Sequence, residues 1–269
     1  MSDREETLQS LMQAAAEIAR IAGLVALESF GKALDVESKQ DGSPVTAADR
    51  AAERTAREWI ERRFPDDGIL GEEFGLVRPD APRRWILDPI DGTKSFIRGI
   101  PLWGTLVALA EGQNVTAGAA FFPAVDELLV AARACGCWWN GRACQVSRVR
   151  DLGESTVLAT DDRFPDDRAR RDAWQELAQG AAIARTWGDC YGYLLVATGR
   201  AEVMVDDVVS AWDAAALMPI IEEAGGVFTD WTGAPTAFGG DVIATNGSLA
   251  TSVRDILMRD ASPAGQPAR

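Results

Sequence analysis

The chain has 269 residues, of which 47% are hydrophobic and 25% are charged, proportions typical of a globular protein that is long enough to bury a substantial core. Its formal net charge of −14 argues against nucleic-acid or anionic-membrane partners, because both select a basic surface. The sequence contains no histidine, which excludes Ser-His-Asp and Cys-His catalysis and histidine metal ligands, and favours oxygen ligands for Mg²⁺ or Mn²⁺ over a Zn²⁺ site.

The N-terminal segment and the cysteines predict a cytoplasmic protein. Residues 1–10 are polar, unlike a signal peptide, and we expect no apolar run to reach the length of a membrane span. Cys135, Cys137 and Cys144 lie close together but lack the CxxC spacing of a zinc site. We therefore interpret them, with Cys190, as reduced packing residues.

The chain opens with predicted helices. Apolar residues at helical spacing indicate an amphipathic helix over 5–30, followed by a short strand over 34–39 and a polar loop over 40–44. Thr46-Ala47-Ala48-Asp49 has the form of a capping box, which predicts a second helix over 49–64. A turn follows, and a short apolar segment then leads into Glu72-Glu73 and a proline-containing loop over 76–83.

The most informative stretch is acidic and lies at 85–96. Its apolar start predicts the end of a buried strand that delivers Asp88 and Asp91 three residues apart, with Pro89 fixing a turn between them. Gly92 and Thr93 are expected to open a short helix. Carboxylates hold hard cations, and free N–H groups at a helix start hold phosphate, so the combination suits metal-assisted phosphoryl chemistry. The alternative is an ordinary turn with a helix-capping aspartate.

The remainder divides into two predicted halves. The first half, 1–147, ends in a largely antiparallel meander with a hairpin turn at Asn140-Gly141, built from strands at 101–110, 115–122, 128–133, 137–139 and 143–146. The second half, 148–269, alternates strands and helices and is therefore predicted to be α/β. Its strands are expected at 156–160, 183–185, 203–205, 227–228 and 242–244, and its helices at 168–179, 191–197 and 214–223.

Three sequence blocks together resemble the inositol monophosphatase family of metal-dependent phosphatases. They are Gly71-Glu72-Glu73, then Asp88-Pro89-Ile90-Asp91-Gly92-Thr93, then Trp212-Asp213-Ala214-Ala215 with Glu223-Ala224-Gly225-Gly226. They occur in the order and spacing of the family, and the resemblance extends from about residue 14 to about residue 249. It implies a mixed α+β and α/β fold, a layered αβαβα sandwich, that acts as a homodimer on a small phosphorylated metabolite.

The resemblance also implies a set of metal ligands. Glu72, Asp88 and the Ile90 carbonyl would hold one Mg²⁺, and Asp88, Asp91 and Asp213 would hold a second. Glu72 would also recruit a third Mg²⁺ through waters. Asp213 has an alternative role as a helix cap, since aspartate is favoured at helix starts.

The same resemblance assigns the catalytic and phosphate-binding groups. Thr93, hydrogen-bonded towards Asp49, would orient the attacking water and take up its proton, while Glu72 belongs to the same catalytic group. The backbone N–H groups of Gly92 and Thr93 would hold the phosphate oxygens. Lys39 resembles the lysine at the mouth of the family's site.

The substrate is predicted from the second half of the chain. Asp189, Tyr191, Asp206 and Asp207 offer carboxylates and an aromatic ring, which suit a substrate that carries an ammonium and an imidazole. The segments DGTKSFIRG, with Lys94 and Arg98, and WGDCYGY resemble the histidinol-phosphatase branch of the family. Our hypothesis is hydrolysis of L-histidinol phosphate in histidine biosynthesis, with Asp91, Gly92, Thr93, Lys94 and Asp213 also contacting the substrate.

Three alternatives remain at this point. An inositol phosphate or another sugar phosphate could be the substrate, with Lys94 and Arg98 as mere surface charges. A non-catalytic metal- or phosphate-binding relative is disfavoured, because every carboxylate of the motif is present. A haloacid-dehalogenase-type phosphatase needs an Asp-x-Asp nucleophile motif, which the spacing of Asp88 and Asp91 does not fit.

Overall fold

The computed structural model describes residues 7–32, 36–38, 44–164 and 167–258. Lys39, which we expected at the mouth of the site, lies outside these residues. The helices that the structure describes are α1 (Leu8–Leu27), α2 (Ala47–Arg63), α3 (Thr93–Phe96), α4 (Arg168–Gly180), α5 (Asp189–Ala197), α6 (Ala211–Ala214), α7 (Leu217–Glu223) and α8 (Ala250–Leu257).

The strands form two large sheets and a two-stranded ribbon. The ribbon pairs β1 (Val36–Ser38) with β2 (Pro44–Thr46). The eight-stranded sheet has the order β10-β9-β8-β7-β6-β5-β3-β4 and contains β3 (Gly68–Gly71), β4 (Gly75–Val77), β5 (Arg83–Asp91), β6 (Gly104–Glu111), β7 (Asn114–Phe122), β8 (Glu127–Ala132), β9 (Cys137–Trp139) and β10 (Arg142–Ala143). The five-stranded sheet has the order β12-β11-β13-β15-β14 and contains β11 (Thr156–Ala159), β12 (Ile183–Arg185), β13 (Val203–Asp206), β14 (Gly226–Thr229) and β15 (Val242–Asn246).

Helices and sheets alternate in five layers. Helices α1 and α2 cover one face of the eight-stranded sheet, α5, α6 and α7 lie between the two sheets, and α4 and α8 cover the outer face of the five-stranded sheet. Three apolar clusters hold the layers together: one lies beneath α1 and α2, one fills the space between the two sheets around α5 and α7, and one lies beneath α4 and α8. Strand β5 serves two of them: Trp85 and Leu87 pack beneath α1 and α2, and Ile86 packs between the sheets, as the twofold periodicity of a strand requires. The predicted αβαβα sandwich is confirmed.

The prediction that no segment is long and apolar enough to span a membrane was wrong for α1. This helix of 20 residues meets the criterion by length and composition alone. In the fold, however, half of its apolar stretch is buried, and it packs on α2 and on β6, β7 and β8. The buried apolar side chains of α1, among them Ile18 and Ala22, therefore have partners within the chain, whereas Leu24 is exposed.

Several element boundaries differ from the predicted ones. Helix α1 starts at Leu8 rather than at residue 5, and α5 starts at Asp189 rather than at 191. Strand β4 begins at Gly75 and takes up the first two residues of the predicted loop 76–83. The helix predicted over 214–223 is split into α6 and α7, because Pro219 has no N–H to continue the first helix and sits instead in the first turn of the second. Helix α8 was not predicted. The division of the chain at residue 147 stays a prediction.

Candidate active site

A β-bulge at the end of β5 presents Asp88 and Asp91. We predicted that the strand stops at 87 and turns at Pro89, and this was wrong, because β5 runs on to Asp91. Asp88 pairs with Leu106 and Asp91 with Gly104, so two residues of β5 oppose a single residue of β6, which is a bulge. Without the extra residue, positions three apart would point to opposite faces of the strand. The bulge is therefore what brings the two carboxylates to the same side.

The third carboxylate comes from α6, which lies between the sheets and packs on β5 and β6. Asp213 is the third residue of α6, and it accepts a hydrogen bond from the backbone N–H of Ser210 at 2.7 Å, so it completes a capping box. Its alternative role as a capping residue therefore holds. One carboxylate oxygen from each of Asp88, Asp91 and Asp213 lies within 4.8 Å of the others. The structural and the functional roles are compatible, because a carboxylate has two oxygens.

The electrostatics of this cluster fit a bound cation. Asp88 is only 2% exposed, and burial raises the pKa of its carboxyl well above the ordinary value, with Glu72, Asp91 and Asp213 adding to the rise. Burial is also the main cause that raises the pKa of Asp91 well above its ordinary value, and the negative charges of Asp189 and Asp213 raise it further. Buried carboxylates that repel one another are stable as anions only beside positive charge. The donor set consists of oxygens alone, which suits Mg²⁺ or Mn²⁺.

Glu72 lies on the loop after β3, and Glu53 of α2 forms hydrogen bonds with this loop. The fully buried Glu53 carboxylate accepts hydrogen bonds from the backbone N–H groups of Glu73 at 2.7 Å and Phe74 at 3.2 Å, and from Arg57 Nε at 2.7 Å. A Cβ at Gly71 would overlap this carboxylate, so the loop lies directly against it. The sequence motif named Glu72 but gave no sign of Glu53.

Thr93 and Asp49 are not paired as we expected. The Thr93 hydroxyl donates its one hydrogen to the Ile90 carbonyl at 2.9 Å. Asp49 is buried, and its Oδ2 accepts from the backbone N–H of Thr46 at 2.8 Å and from its hydroxyl at 2.6 Å, which confirms the predicted capping box. The expected hydrogen bond between Thr93 and Asp49 was therefore wrong.

Gly92 is required by the backbone at the start of α3. Its φ of +87° lies in the left-handed region, and a Cβ there would stand 2.7 Å from the Leu102 carbonyl oxygen. Asp189 Oδ2 lies 3.3 Å from the same point. A carboxylate of the second half of the chain thus sits beside the turn that carries Gly92.

A cleft opens from the carboxylate cluster between the two sheets. It has a volume of about 300 Å³, and its lining includes Lys94 and the acidic residues Asp189, Asp206 and Asp207. A neighbouring hollow of about 350 Å³ shares Lys94 and Asp189 with it. Most of the residues that we predicted for the substrate therefore meet in one place. Arg98, in contrast, is exposed and donates to the Lys94 carbonyl.

The aromatic residue of the cleft is Tyr193 rather than Tyr191. The Tyr191 ring packs edge-on against Phe122 with 5.8 Å between ring centroids, whereas Tyr193 lines the cleft. The Tyr193 hydroxyl donates to Asp206 Oδ2 at 2.7 Å. Sequence reasoning missed Tyr193, although its spacing of four residues from Asp189 places both on the same face of α5.

The backbone of Cys190 joins α5 to the eight-stranded sheet. Its N–H donates to Asp91 Oδ2 at 2.5 Å, which joins the start of α5 to the end of β5. This hydrogen bond lowers the pKa of Asp91 against the larger effect of burial. Cys190 is buried in the core between the sheets, as predicted for a packing cysteine.

We expect Asp206 to make the chain less stable as the pH rises from about 4 to about 7. Burial raises the pKa of its carboxyl from 3.8 to about 7, so within this interval the folded chain holds a proton that the unfolded chain has released. The contribution favours folding at the acidic end and is lost as the pH rises through the folded value. Asp206→Asn should flatten this part of the curve. Denaturant unfolding across the interval, with chelator present, measures the slope, and a slope equal to that of the wild type would contradict the assignment.

Comparison with known proteins decides the family. The model of the inositol monophosphatase family matches residues 7–262. The chain belongs to this family. The histidinol-phosphatase of Chlorobaculum parvum is 44% identical over 240 residues, which are 88% of this chain and 93% of that protein. The histidinol-phosphatase of Streptomyces coelicolor is 38% identical over 235 residues, 81% of this chain and 86% of that protein.

Solved structures place the fold in the same family. An inositol monophosphatase from Zymomonas mobilis superposes with a TM-score of 0.84 at 31% identity, and the match covers 94% of this chain and 99% of that one. Proteins with these names are phosphomonoesterases. The resemblance drawn from the three sequence blocks is thus confirmed, and the chain has the fold of the family's metal-dependent phosphatases, with an acidic cluster that could bind a metal.

Proposed function

We propose that this inositol monophosphatase family member hydrolyses L-histidinol phosphate to L-histidinol and phosphate. The observation that carries the proposal is the position of Asp189, whose carboxylate lies beside Gly92 and in the same cleft as Asp206. In histidinol phosphate the ammonium stands two carbons from the ester oxygen. With the phosphate at Gly92, an ammonium at that distance can reach Asp189, and charge-assisted hydrogen bonds reward the contact. The names of the two relatives support the same substrate.

The metal ligands that we propose are Asp88, Asp91 and Asp213, joined by Glu72 and the Ile90 carbonyl. They fit two Mg²⁺ ions, with a third near Glu72, and Mn²⁺ suits the same oxygens. Bound cations would neutralise the phosphate and make water a better nucleophile. This set is supported by the cluster of Asp88, Asp91 and Asp213 and by the charge of Glu72, which acts on the carboxyl of Asp88.

The chain's own groups have distinct proposed roles around the phosphate. The backbone N–H groups of Gly92 and Thr93 hold phosphate oxygens. Because the Thr93 hydroxyl donates to Ile90, its lone pairs can accept a hydrogen bond from the attacking water and orient it. Lys94 lines the cleft and supplies positive charge beside the ester, and Asp49 keeps the start of α2 in place.

We further propose that the enzyme is a cytoplasmic homodimer without nucleic-acid or membrane partners. The family resemblance supports the dimer, and the net charge of −14 argues against nucleic-acid and anionic-membrane partners. The cytoplasmic location rests on the interpretation of the cysteines as reduced. Light scattering after size-exclusion chromatography measures the mass in solution. The mass of a monomer would contradict the proposed dimer but not the proposed activity.

The first test compares phosphate release from L-histidinol phosphate and from myo-inositol 1-phosphate, with Mg²⁺ and with chelator. We expect a strong preference for histidinol phosphate that chelator abolishes. Asp189→Asn should lower kcat/KM for histidinol phosphate by about 10- to 100-fold, since a hydrogen bond to a charged group contributes about 1.5–3 kcal/mol, and should affect the inositol ester less. A preference for the inositol ester would contradict the proposed substrate but would not contradict the proposed metal ligands.

A further inference from the structure

The cleft lies at the carboxyl ends of parallel strands. Strand β11 runs parallel to both of its neighbours, β12 and β13, so the residues that follow the three strands meet at one edge of the sheet. In open α/β sheets this edge, beside the point where the strand order reverses, is where ligands bind. Thr160 follows β11, Asp206 ends β13, and Asp189 comes four residues after the end of β12.

Thr160 contacts both of the carboxylate-bearing residues that we assign to the substrate. Its backbone N–H donates to Asp206 Oδ1 at 3.2 Å. Its hydroxyl oxygen accepts from the backbone N–H of Asp189 at 2.8 Å. The two segments are pressed together at this point, because a Cβ at Gly188 would overlap the Thr160 Cα.

The hydrogen bond between Thr160 and Asp189 restrains a residue whose backbone conformation is unfavourable. Asp189 has a φ of +50°, a left-handed conformation that residues with a Cβ seldom adopt and that persists only when neighbouring groups hold it. The hydrogen bond to Thr160 is one such restraint. The same conformation aims the Asp189 carboxylate at the turn around Gly92.

Asp206 is restrained from two sides. Oδ1 accepts from Thr160 and Oδ2 from the hydroxyl of Tyr193, and the residue is 8% exposed. Each oxygen keeps a further lone pair, so the carboxylate can still receive a donor from a ligand in the cleft. Its orientation is therefore set before a ligand arrives, which lowers the entropic cost of binding.

We propose that Thr160 is a positioning residue for substrate specificity, which fixes Asp189 and Asp206 relative to each other so that both face the cationic end of the substrate. This inference rests on the proposed function. Thr160 itself does not touch the reacting atoms. Its hydroxyl sets the Asp189 backbone and its N–H sets the Asp206 carboxylate, and the two carboxylates recognise the ammonium and imidazole groups.

Thr160→Val and Thr160→Ser separate positioning from packing. Valine has nearly the shape of threonine but cannot accept the hydrogen bond from Asp189, whereas serine keeps the hydroxyl. In Thr160→Val we expect the KM for histidinol phosphate, relative to that for myo-inositol 1-phosphate, to rise about tenfold, as the loss of one hydrogen bond predicts. We expect kcat for histidinol phosphate to fall by less than about threefold, and Thr160→Ser to restore the KM ratio.

A purely structural role would give a different result. Thr160→Val would then lower the unfolding temperature and change the KM values for both esters alike, and this outcome would overturn the proposal. A Thr160→Ser variant as impaired as Thr160→Val would also overturn it. If the wild type shows no preference for histidinol phosphate, the proposed function fails by itself. The two variants are then measured on the ester that the wild type prefers, and an unchanged KM in Thr160→Val would overturn the positioning role separately.

Discussion

Asp88→Asn should abolish phosphatase activity and, in chelator, raise the unfolding temperature. Removing this ligand should cost at least about 10²- to 10³-fold in kcat/KM, as the loss of a group that stabilises transition-state charge does. Without a cation, however, Asp88 is a buried carboxylate beside Glu72, Asp91 and Asp213. An amide of the same shape relieves that repulsion. Phosphate release and thermal unfolding, each with Mg²⁺ and with chelator, measure the two effects.

A matched control for this prediction is Asp66→Asn. Asp66 is an exposed carboxylate on the turn before β3, so the same chemical change there should leave both activity and the stabilisation by Mg²⁺ as they are. If Asp88→Asn kept near-normal turnover, or if Mg²⁺ still stabilised it as strongly as the wild type, Asp88 would not be a metal ligand.

Glu53→Ala should be among the most destabilising substitutions in the chain. It removes the acceptor of two backbone N–H groups and leaves Arg57, 9% exposed, without its ion-pair partner. Breaking a buried pair in this way costs about 3–5 kcal/mol. Because the released loop also carries Glu72, we expect the Mg²⁺ concentration for half-maximal activity to rise. Denaturant unfolding and a Mg²⁺ titration of activity measure the two effects.

Glu37→Ala provides the comparison for Glu53. Glu37 also pairs with an arginine, Arg50, at 2.6 Å, but its side chain is 65% exposed, and exposed pairs contribute less than about 1 kcal/mol. Glu53→Gln serves if the alanine variant does not fold, since it keeps one acceptor oxygen and removes the charge. Equal stability losses at positions 37 and 53 would show that burial does not determine the effect.

The features that the sequence predicted correctly are those that depend on a few neighbouring residues. The capping box of Thr46 and Asp49 needs four residues, and the hairpin turn at Asn140-Gly141 needs two; both residues of that turn have positive φ, as predicted. The gathering of Asp88, Asp91 and Asp213 was predicted from the family resemblance, because no local pattern relates residues more than a hundred positions apart.

The parts that were missed depend on neighbours distant in the sequence. Pro89 looked like a turn residue, but pairing with β6 continues past it, and a bulge admits a residue that has no N–H to donate. Thr160 and Tyr193 contact Asp206 because β11 pairs in parallel with β13 and because α5 packs beside them. Neither relation can be read from the local sequence. Glu53 was hidden for the same reason, since its role lies in a loop twenty residues away.

The composition agrees with a proposed role in histidine synthesis. These 269 residues contain no histidine. We therefore expect their translation to continue while histidine is scarce, because none of their codons requires a histidine-charged tRNA.

The carboxylate cluster draws Asp88 and Asp91 from one sheet region and Asp213 from a helix far along the chain. During synthesis, the ribosome therefore releases the first two carboxylates long before the third. The cluster that we propose as the metal site is incomplete until α6 has left the exit tunnel and packed on β5 and β6. A product that ends before residue 213 would lack the third carboxylate, so we expect it to be inactive even when Asp189 and Asp206 have already been made. The three carboxylates are thus all present only once the polypeptide has been made as far as α6, when β14 and β15 of the second sheet are still to follow.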